Sequence, residues 1–400
     1  MRVLYLHPAG AYGGASKSLI ELFSLMRQSG IDGTVLTPGG SAASAFADAG
    51  MSVVPVRGLS QFDNTRYGHY RRLRWIILLR ELLFLPGSLW TLWRMRKEQF
   101  DVIHVNEITL LPLGIIAKKI FRLPMVIHVR SLQCVPPGNW RTRLVNSWLA
   151  RHADVIVPID HTVAATLGRD LPLEIVHNGL RVDAGKHLQR AAQEARGPVR
   201  VGFMGVLIAL KGIYELLEAM RIMKSRGVAI ECIIAGENAR NLRGLRAWVL
   251  RKLGFARNVR ADLEQMIRDY GLEEHVQLLG FVKDVRSLYP TLDILCFPSH
   301  LDAAGRPVFE AAFYSIPSVV AVKDPLPDAV LHEHTGLAIP SPEPELIADA
   351  LQRLAEDHVL RQTLGRQARD WAISNFSIES SASTMMAIYR RLRSKDERKQ

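Results

Sequence analysis

The stretch CFPSHLDAAGRPVFEAAFYSIPSVVA, residues 296–321, holds the chain's densest group of residues able to do chemistry. Asp302 and Glu310 stand eight positions apart, the first in a glycine-containing loop and the second at an expected helix start. Carboxylates so placed can accept hydrogen bonds from hydroxyls at successive positions along a bound sugar and ribose. An acid near a helix N-terminus also stabilises the helix dipole, which accounts for Glu310 but not for the loop before it. Upstream, VGFMGVLIALKGIYELLEAM (201–220) reads as a strand, a loop bearing Gly205, and Lys211-Gly212 opening an amphipathic helix. A lysine beside helical N–H donors suits a diphosphate; the plain alternative is a solvated helix start. Near the N-terminus, HPAGAYGGASKS sets Gly13-Gly14 before small residues at a helix start. Either the backbone there approaches an anionic ligand or a tight turn needs glycine. The motif is not the dinucleotide pattern GxGxxG, and no acid ends the second strand at Leu36.

Positioning these loops requires a frame, and the pattern of apolar runs supplies one. Strands are expected at Val3–His7, Gly33–Leu36, Ser52–Pro55, Asp101–Val105, Met125–Val129, Asp154–Pro158 and Glu174–Val176. Helices are expected near Ala15–Arg27, Ala42–Ala49, Leu110–Ile120 and Arg141–His152. The polar stretch Asp183–Pro198 reads as a linker. A second series follows, with strands at Val199–Met204, Ile230–Ala235, His275–Leu279, Ile294–Phe297, Ser318–Ala321 and Leu337–Ile339. Continuous apolar strands alternating with helices predict parallel sheets covered on both faces, hence an α/β chain of two doubly wound, Rossmann-like domains. In such sheets ligands sit at the carboxyl ends of the strands, where the three motifs fall.

Four hundred residues, 48% of them hydrophobic and 22% charged, fit two globular domains. Three scattered cysteines form no disulfide framework or metal spacing, and the first strand lacks the features of a signal peptide, so a cytoplasmic location is expected. The run Trp75–Trp93 contains Arg80 and Glu81 and is expected to break at Pro86-Gly87, so it does not span a membrane.

Together these motifs resemble the glycosyltransferase family 4 group with the GT-B architecture. The resemblance adds DVIHVNE at Asp101–Glu107, VIHVRS at Val126–Ser131 and HNG at His177–Gly179, and covers nearly the whole chain. It implies two facing lobes, 1–180 completed by a returning C-terminal helix at 376–400, and 181–375. It implies a retaining transfer from a nucleotide-diphosphate sugar, UDP- or GDP-linked, to an acceptor. Glu310 would hold the ribose hydroxyls, while Asp302 and the backbone of Ala303, Ala304, Gly305 and Arg306 would hold the donor sugar. Lys211, with Gly205 and Gly212, would neutralise the diphosphate. Gly13 and Gly14 would approach donor phosphate and acceptor, and His128 would face the sugar near the anomeric carbon. The departing phosphate would deprotonate the acceptor on the same face, so no carboxylate nucleophile is required. No DxD-type motif is present, so no metal and no cofactor is expected. Two positions depart from the pattern. Val206 stands where many members carry an arginine, with Arg130 and Arg306 as candidate substitutes by position, and Asp302 replaces a glutamate.

The net charge of +12 is concentrated: +6 over 66–99, +7 over 240–260 and +4 over 390–400, leaving the rest net −5. Arg71, Arg72, Arg74, Trp75, Trp90 and Trp93, with Arg243, Trp248, Arg251 and Lys252, mix cations, aromatics and leucine-rich faces. That mixture suits an anionic membrane surface, against solvated arginines over packed helices. Nucleic acid would need the charge but not the leucines. A membrane-docked transferase suggests a glycan or lipid-linked acceptor of cell-surface polysaccharide or lipopolysaccharide assembly. The rivals are an epimerase or phosphorylase of the same architecture and, motivated by Val206, a catalytically silent scaffold of glycan assembly.

Overall fold

The computed structural model describes residues 1–66, 77–134, 140–181, 197–238, 258–301, 304–326 and 328–397, with 395–397 described by backbone alone. The chain divides into two compact units, Met1–Arg181 with Phe376–Gln400, and Val182–Asn375. The first contains strands β1 (Arg2–Leu6), β2 (Asp32–Pro38), β3 (Ser52–Val56), β4 (Val102–Val105), β5 (Met125–Val129) and β6 (Val155–Pro158). Its helices are α1 (Gly14–Gln28), α2 (Ser41–Asp48), α3 (Ile77–Arg94), α4 (Leu111–Phe121), α5 (Trp140–His152) and the single turn α6 (His161–Ala164). The second contains β7 (Val199–Met204), β8 (Ile230–Ala235), β9 (Val276–Gly280), β10 (Ile294–Phe297), β11 (Ser318–Ala321) and β12 (Gly336–Ile339). Its helices are α7 (Ile213–Ser225), α8 (Val259–Asp269), α9 (Arg306–Phe313), α10 (Pro344–Glu356) and α11 (His358–Phe376). The last helix, α12 (Ile378–Glu397), belongs to the first unit.

Both sheets are parallel and share one topology: β3-β2-β1-β4-β5-β6, and β12-β11-β10-β7-β8-β9. Every strand feeds alternate side chains to opposite faces. Val3 and Tyr5 pack with Leu19, Phe23 and Phe46, whereas Leu4 and Leu6 pack with Ile103, Leu110 and Ile127. In the second unit Val201 and Phe203 join Leu216 and Met220, while Met204 joins Leu295 and Phe297 on the other face. Because both faces are buried, the strands read as unbroken apolar runs. Helix α12 presents Ile378, Ala382, Met385, Tyr389 and Leu392 at helical spacing to the core that holds α1. Gly179 lets that helix come close, since a Cβ there would overlap the Cα of Ile378.

Two expectations about elements require correction. Glu174–Val176 is not a strand: only Glu174 N–H to Ile156 O (2.9 Å) and Val176 N–H to Pro158 O (3.2 Å) tie it to β6. Pro158 has no N–H with which to return a bond. Helix α3 does not break at Pro86-Gly87 but runs through them. The carbonyl that Pro86 leaves without its helical donor belongs to Leu82, which is exposed, so water can serve it. Among the described residues no helix is long and apolar enough to cross a membrane. The expected linker and the 240–260 segment fall mostly outside the described residues.

Candidate functional site

In the second unit the strand order reverses between β7 and β10, and the loops leaving these two strands carry the candidate residues. After β7 the chain passes Gly205 and Val206, then a 3-10 turn, Ala209–Lys211, and Gly212 before α7. Gly212 is required twice. Its φ of +70° is left-handed, and a Cβ would run into the carbonyl oxygen of Pro298, at the start of the loop after β10. The same two loops are joined by the carbonyl of Leu210, which accepts from His300 N–H (3.0 Å) and Ser299 Oγ (3.2 Å). His300 Nε2 also lies 2.8 Å from Glu215 Oε1, in the first turn of α7.

The turn therefore holds Lys211 in a fixed place. Its ammonium lies against Gly205, 5.7 Å from the centre of the Phe297 ring, half-buried and without an ion pair or hydrogen bond among the described residues. Burial draws its pKa below the ordinary lysine value. A cation left partly desolvated and uncompensated is costly unless an anion joins it.

Glu310 is 8% exposed and sits in the second turn of α9, not at its start. Tyr289 Oη donates to its Oε2 (2.7 Å) and Arg306 Nε to its Oε1 (2.9 Å). Both oxygens keep lone pairs for further donors. Gly305 caps α9 against the Phe297 ring, and Ala304 is half-buried beside it. Asp302 and Ala303 lie outside the described residues. Val206 is 46% exposed. Arg306 is tied to Glu310, so it is not a spare cation in the place of the absent arginine.

In the first unit the reversal lies between β1 and β4. Gly13 caps α1 with an extended backbone (φ −157°), and a Cβ at Gly13 or Gly14 would meet nothing within 4 Å. The tight-turn explanation for this pair therefore fails at Gly13, and neither position is glycine for lack of space. Beneath the turn lies a buried polar chain. His7 Nε2 is 3.0 Å from Ser16 Oγ, and its Nδ1 is 2.8 Å from Asn106 Nδ2. Arg130 donates from Nε to Asn106 Oδ1 (3.0 Å), from Nη1 to Asn178 Oδ1 (2.6 Å), and from Nη2 towards His128 Nδ1 (3.3 Å). His104 Nε2 is 3.3 Å from His128 Nδ1, and its Nδ1 is 2.6 Å from Tyr389 Oη of α12. Burial, reinforced by the Arg130 charge, brings His7 and His104 down to about 3 and His128 well below its usual range.

The expected place of His128 is corrected by these contacts. It is 2% exposed, within β5 and between His104 and Arg130, so it does not face an open site. The residue standing just past the carboxyl end of β5 is Arg130, which is itself engaged and is no free substitute for an arginine at 206. Asn178 explains part of HNG as a partner of Arg130. Tyr289, His300, Asn106, His7 and Tyr389 escaped notice in the sequence. Apart from the His7–Ser16 contact, nine residues apart, the partners given above lie 21 to 285 residues away, and no local spacing announces them.

Of the membrane candidates, Arg71, Arg72, Arg74, Trp75, Arg243, Trp248, Arg251 and Lys252 lie outside the described residues. Trp90 and Trp93 are on α3, 59% and 55% exposed, beside exposed Leu79, Leu82 and Leu83. The guanidinium of Arg94 lies 5.5 Å from the Trp90 ring centre, and that of Arg96 3.6 Å from Trp93.

Comparison with known proteins bears on the family and the fold. Residues 13–179 match the family model "Glycosyl transferase 4-like domain", and residues 186–371 match "Glycosyl transferases group 1". Glycogen synthase of Mycobacterium tuberculosis is 22% identical, over 97% of this chain and 94% of its own length. D-inositol 3-phosphate glycosyltransferase of Corynebacterium jeikeium is 25% identical, over 85% and 84%. The solved structure of Anabaena HepE in complex with UDP superposes with a TM-score of 0.74 at 19% identity, covering 98% of this chain and all of that one. The chain belongs to the group 1 glycosyltransferases of the family 4 type: it is a glycosyltransferase with the two-lobed GT-B fold.

Proposed function

We propose that this glycosyltransferase takes its sugar from a nucleotide-diphosphate donor and transfers it with retention, without a metal or other cofactor. The observation that carries the reading is Lys211, a half-buried cation without a counter-ion among the described residues, held by Gly205 and Gly212 where the strand order reverses. A diphosphate would compensate that charge, and the developing charge of the leaving group would be met by Lys211 and the amides opening α7. Glu310, held by Tyr289 and Arg306, is oriented to accept ribose hydroxyls, and Asp302 with the backbone 303–306 is assigned the donor sugar. The UDP bound in HepE makes uridine the first base to test.

The acceptor in this reading is a glycan or a lipid-linked glycan of cell-surface polysaccharide or lipopolysaccharide synthesis, met at the cytoplasmic face of a membrane. The apolar, tryptophan-bearing face of α3, with arginines stacked on both tryptophans, supports that location. Val206 supports the second reading, a silent scaffold, because one cation on a diphosphate stabilises it less than two.

Thermal-shift titration with UDP, GDP, ADP and their common sugar conjugates tests both. The expected result is a rise in Tm with one nucleotide only, abolished in Glu310→Ala, together with release of that nucleotide from its sugar conjugate in EDTA. NMR of the transferred sugar should show the donor's anomeric configuration. A wild-type protein that responds to no nucleotide would overturn the donor reading and leave the scaffold.

A further inference from the structure

The buried chain in the first unit has a direction, and one residue sets it. A guanidinium can only donate hydrogen bonds. Arg130 Nε donates to Asn106 Oδ1, so the amide oxygen of Asn106 faces Arg130 and its NH2 faces the other way. That NH2 has two hydrogens and two neighbours, His7 Nδ1 at 2.8 Å and the carbonyl of Ala15 at 3.4 Å. His7 Nδ1 must therefore accept, and the ring proton sits on Nε2. Nε2–H then donates to Ser16 Oγ at 3.0 Å, in the first turn of α1. A second branch obeys the same logic. Arg130 Nη2 donates to His128 Nδ1, so His128 carries its proton on Nε2, a buried atom with no partner among the described residues. His104 then donates from Nε2 to His128, and its Nδ1 faces the Tyr389 hydroxyl at 2.6 Å. Turning the proton of His7 or of His128 to Nδ1 would set two donors against each other, at Arg130 Nε through Asn106 or at Arg130 Nη2 directly.

We propose that Arg130 is a positioning residue for turnover: through Asn106 it fixes His7 as the Nε2–H tautomer, which holds Ser16 and the first turn of α1 in the geometry that the reaction needs. The functional half rests on the donor reading above; the tautomer half does not. Ser16 and Ala15 are the two points at which the chain grips α1, directly after Gly13 and Gly14. A turn without side-chain caps has no other side-chain tether of its own at its N-cap, so its amides are aimed by what lies beneath them.

The test is Asn106→Asp, nearly isosteric but unable to donate. Its carboxylate would accept from Arg130 and from His7 together, moving the His7 proton to Nδ1 and making Nε2 an acceptor of the Ser16 hydroxyl. His128 would stay as it was, because its donor is unchanged. Nitrogen-15 imidazole spectra of the unligated protein at neutral pH read both rings. We expect Nε2–H at His7 and His128 in the wild type, and Nδ1–H at His7 alone in the variant. Hydrolysis of UDP-glucose or GDP-mannose, whichever the wild type turns over, should fall in kcat by about ten-fold or more with KM changed less than about three-fold. Ser16→Ala should reproduce the kcat loss while leaving His7 as Nε2–H. A wild-type His7 protonated at Nδ1 overturns the proposal without any variant. So does a His7 that switches in Asn106→Asp with no change in kcat. A wild type that hydrolyses neither donor while showing the expected tautomers counts against the donor reading and leaves the direction of the chain standing.

Discussion

Lys211 and the buried histidines show how single residues at the two candidate sites trade stability for readiness. The ammonium of Lys211 is partly desolvated with no ion pair among the described residues, so the unliganded protein bears its cost. Lys211→Met should therefore raise the Tm of the unliganded protein by a few degrees, of the order expected for about 1 kcal/mol. The same variant should lose the nucleotide-induced rise; scanning fluorimetry reads both, and a lower Tm with the nucleotide response intact would sink the assignment. The histidines predict acid sensitivity. His7 and His104 fall to about 3 from an ordinary 6.5, through burial first and the Arg130 charge second. A base held neutral in the fold contributes its full stability above its unfolded pKa and loses it as pH falls from 6.5 towards 3. Glu107, pushed up by burial, works in the opposite sense at higher pH. His104→Gln should separate the two by flattening the fall of Tm between about pH 6 and 4, whatever it does to Tm at neutral pH. An unchanged slope would mean that His104 is not neutral in the fold. At this scale the sequence disclosed the charges but not their partners. Glu310 and Lys211 stood out by type and place, whereas Tyr289 and Asn106 matter through contacts that only folding makes.

Elements explain why that division falls where it does. A strand buried on both faces must be apolar along its length, so the sheets could be read directly, and both have the same order about their first strand. What could not be read was whether a short segment at a sheet edge gains enough bonds to count as a strand, as with 174–176, or whether one proline ends a helix, as with α3. Both depend on what solvent or a neighbour supplies to the backbone. Glycines make the same point in a testable form. Gly212 has a left-handed φ and the Pro298 carbonyl in the way, so Gly212→Ala should cost more than about 2 kcal/mol and distort the Lys211 turn. Gly13 is extended with open space around it, so Gly13→Ala should change stability by less than about 0.5 kcal/mol. If the backbone at Gly13 meets a ligand, turnover must nevertheless fall in Gly13→Ala. Chemical denaturation paired with donor hydrolysis decides it, and a Gly13→Ala protein as stable and as active as wild type would remove that turn from the site.

Across the whole molecule, charge is distributed in a way that neither unit's core requires. The chain carries +12, yet outside three short segments it is net negative, so the basic regions act as local patches and not as a general background. One patch includes α3, whose buried side uses only Glu81, Ser88 and Leu92. Its outer side shows Leu79, Leu82, Leu83, Trp90 and Trp93 to solvent, five large apolar side chains on one helix. Arginines stacked on the two tryptophans place cations at the edge of that surface, where lipid phosphates would lie. The sequence showed this composition but took the helix to end at Pro86; continuity through the proline is what puts leucines and tryptophans on one element. If α3 docks on a bilayer, both components of binding should be separable by sedimentation with vesicles. Binding should require anionic lipid, weaken as salt is raised, and drop by roughly ten-fold or more in Trp90→Ala with Trp93→Ala, while the nucleotide response is unchanged. Equal binding to neutral and anionic vesicles would leave the arginines without a role. Binding that survives loss of both tryptophans would move the contact off α3 altogether.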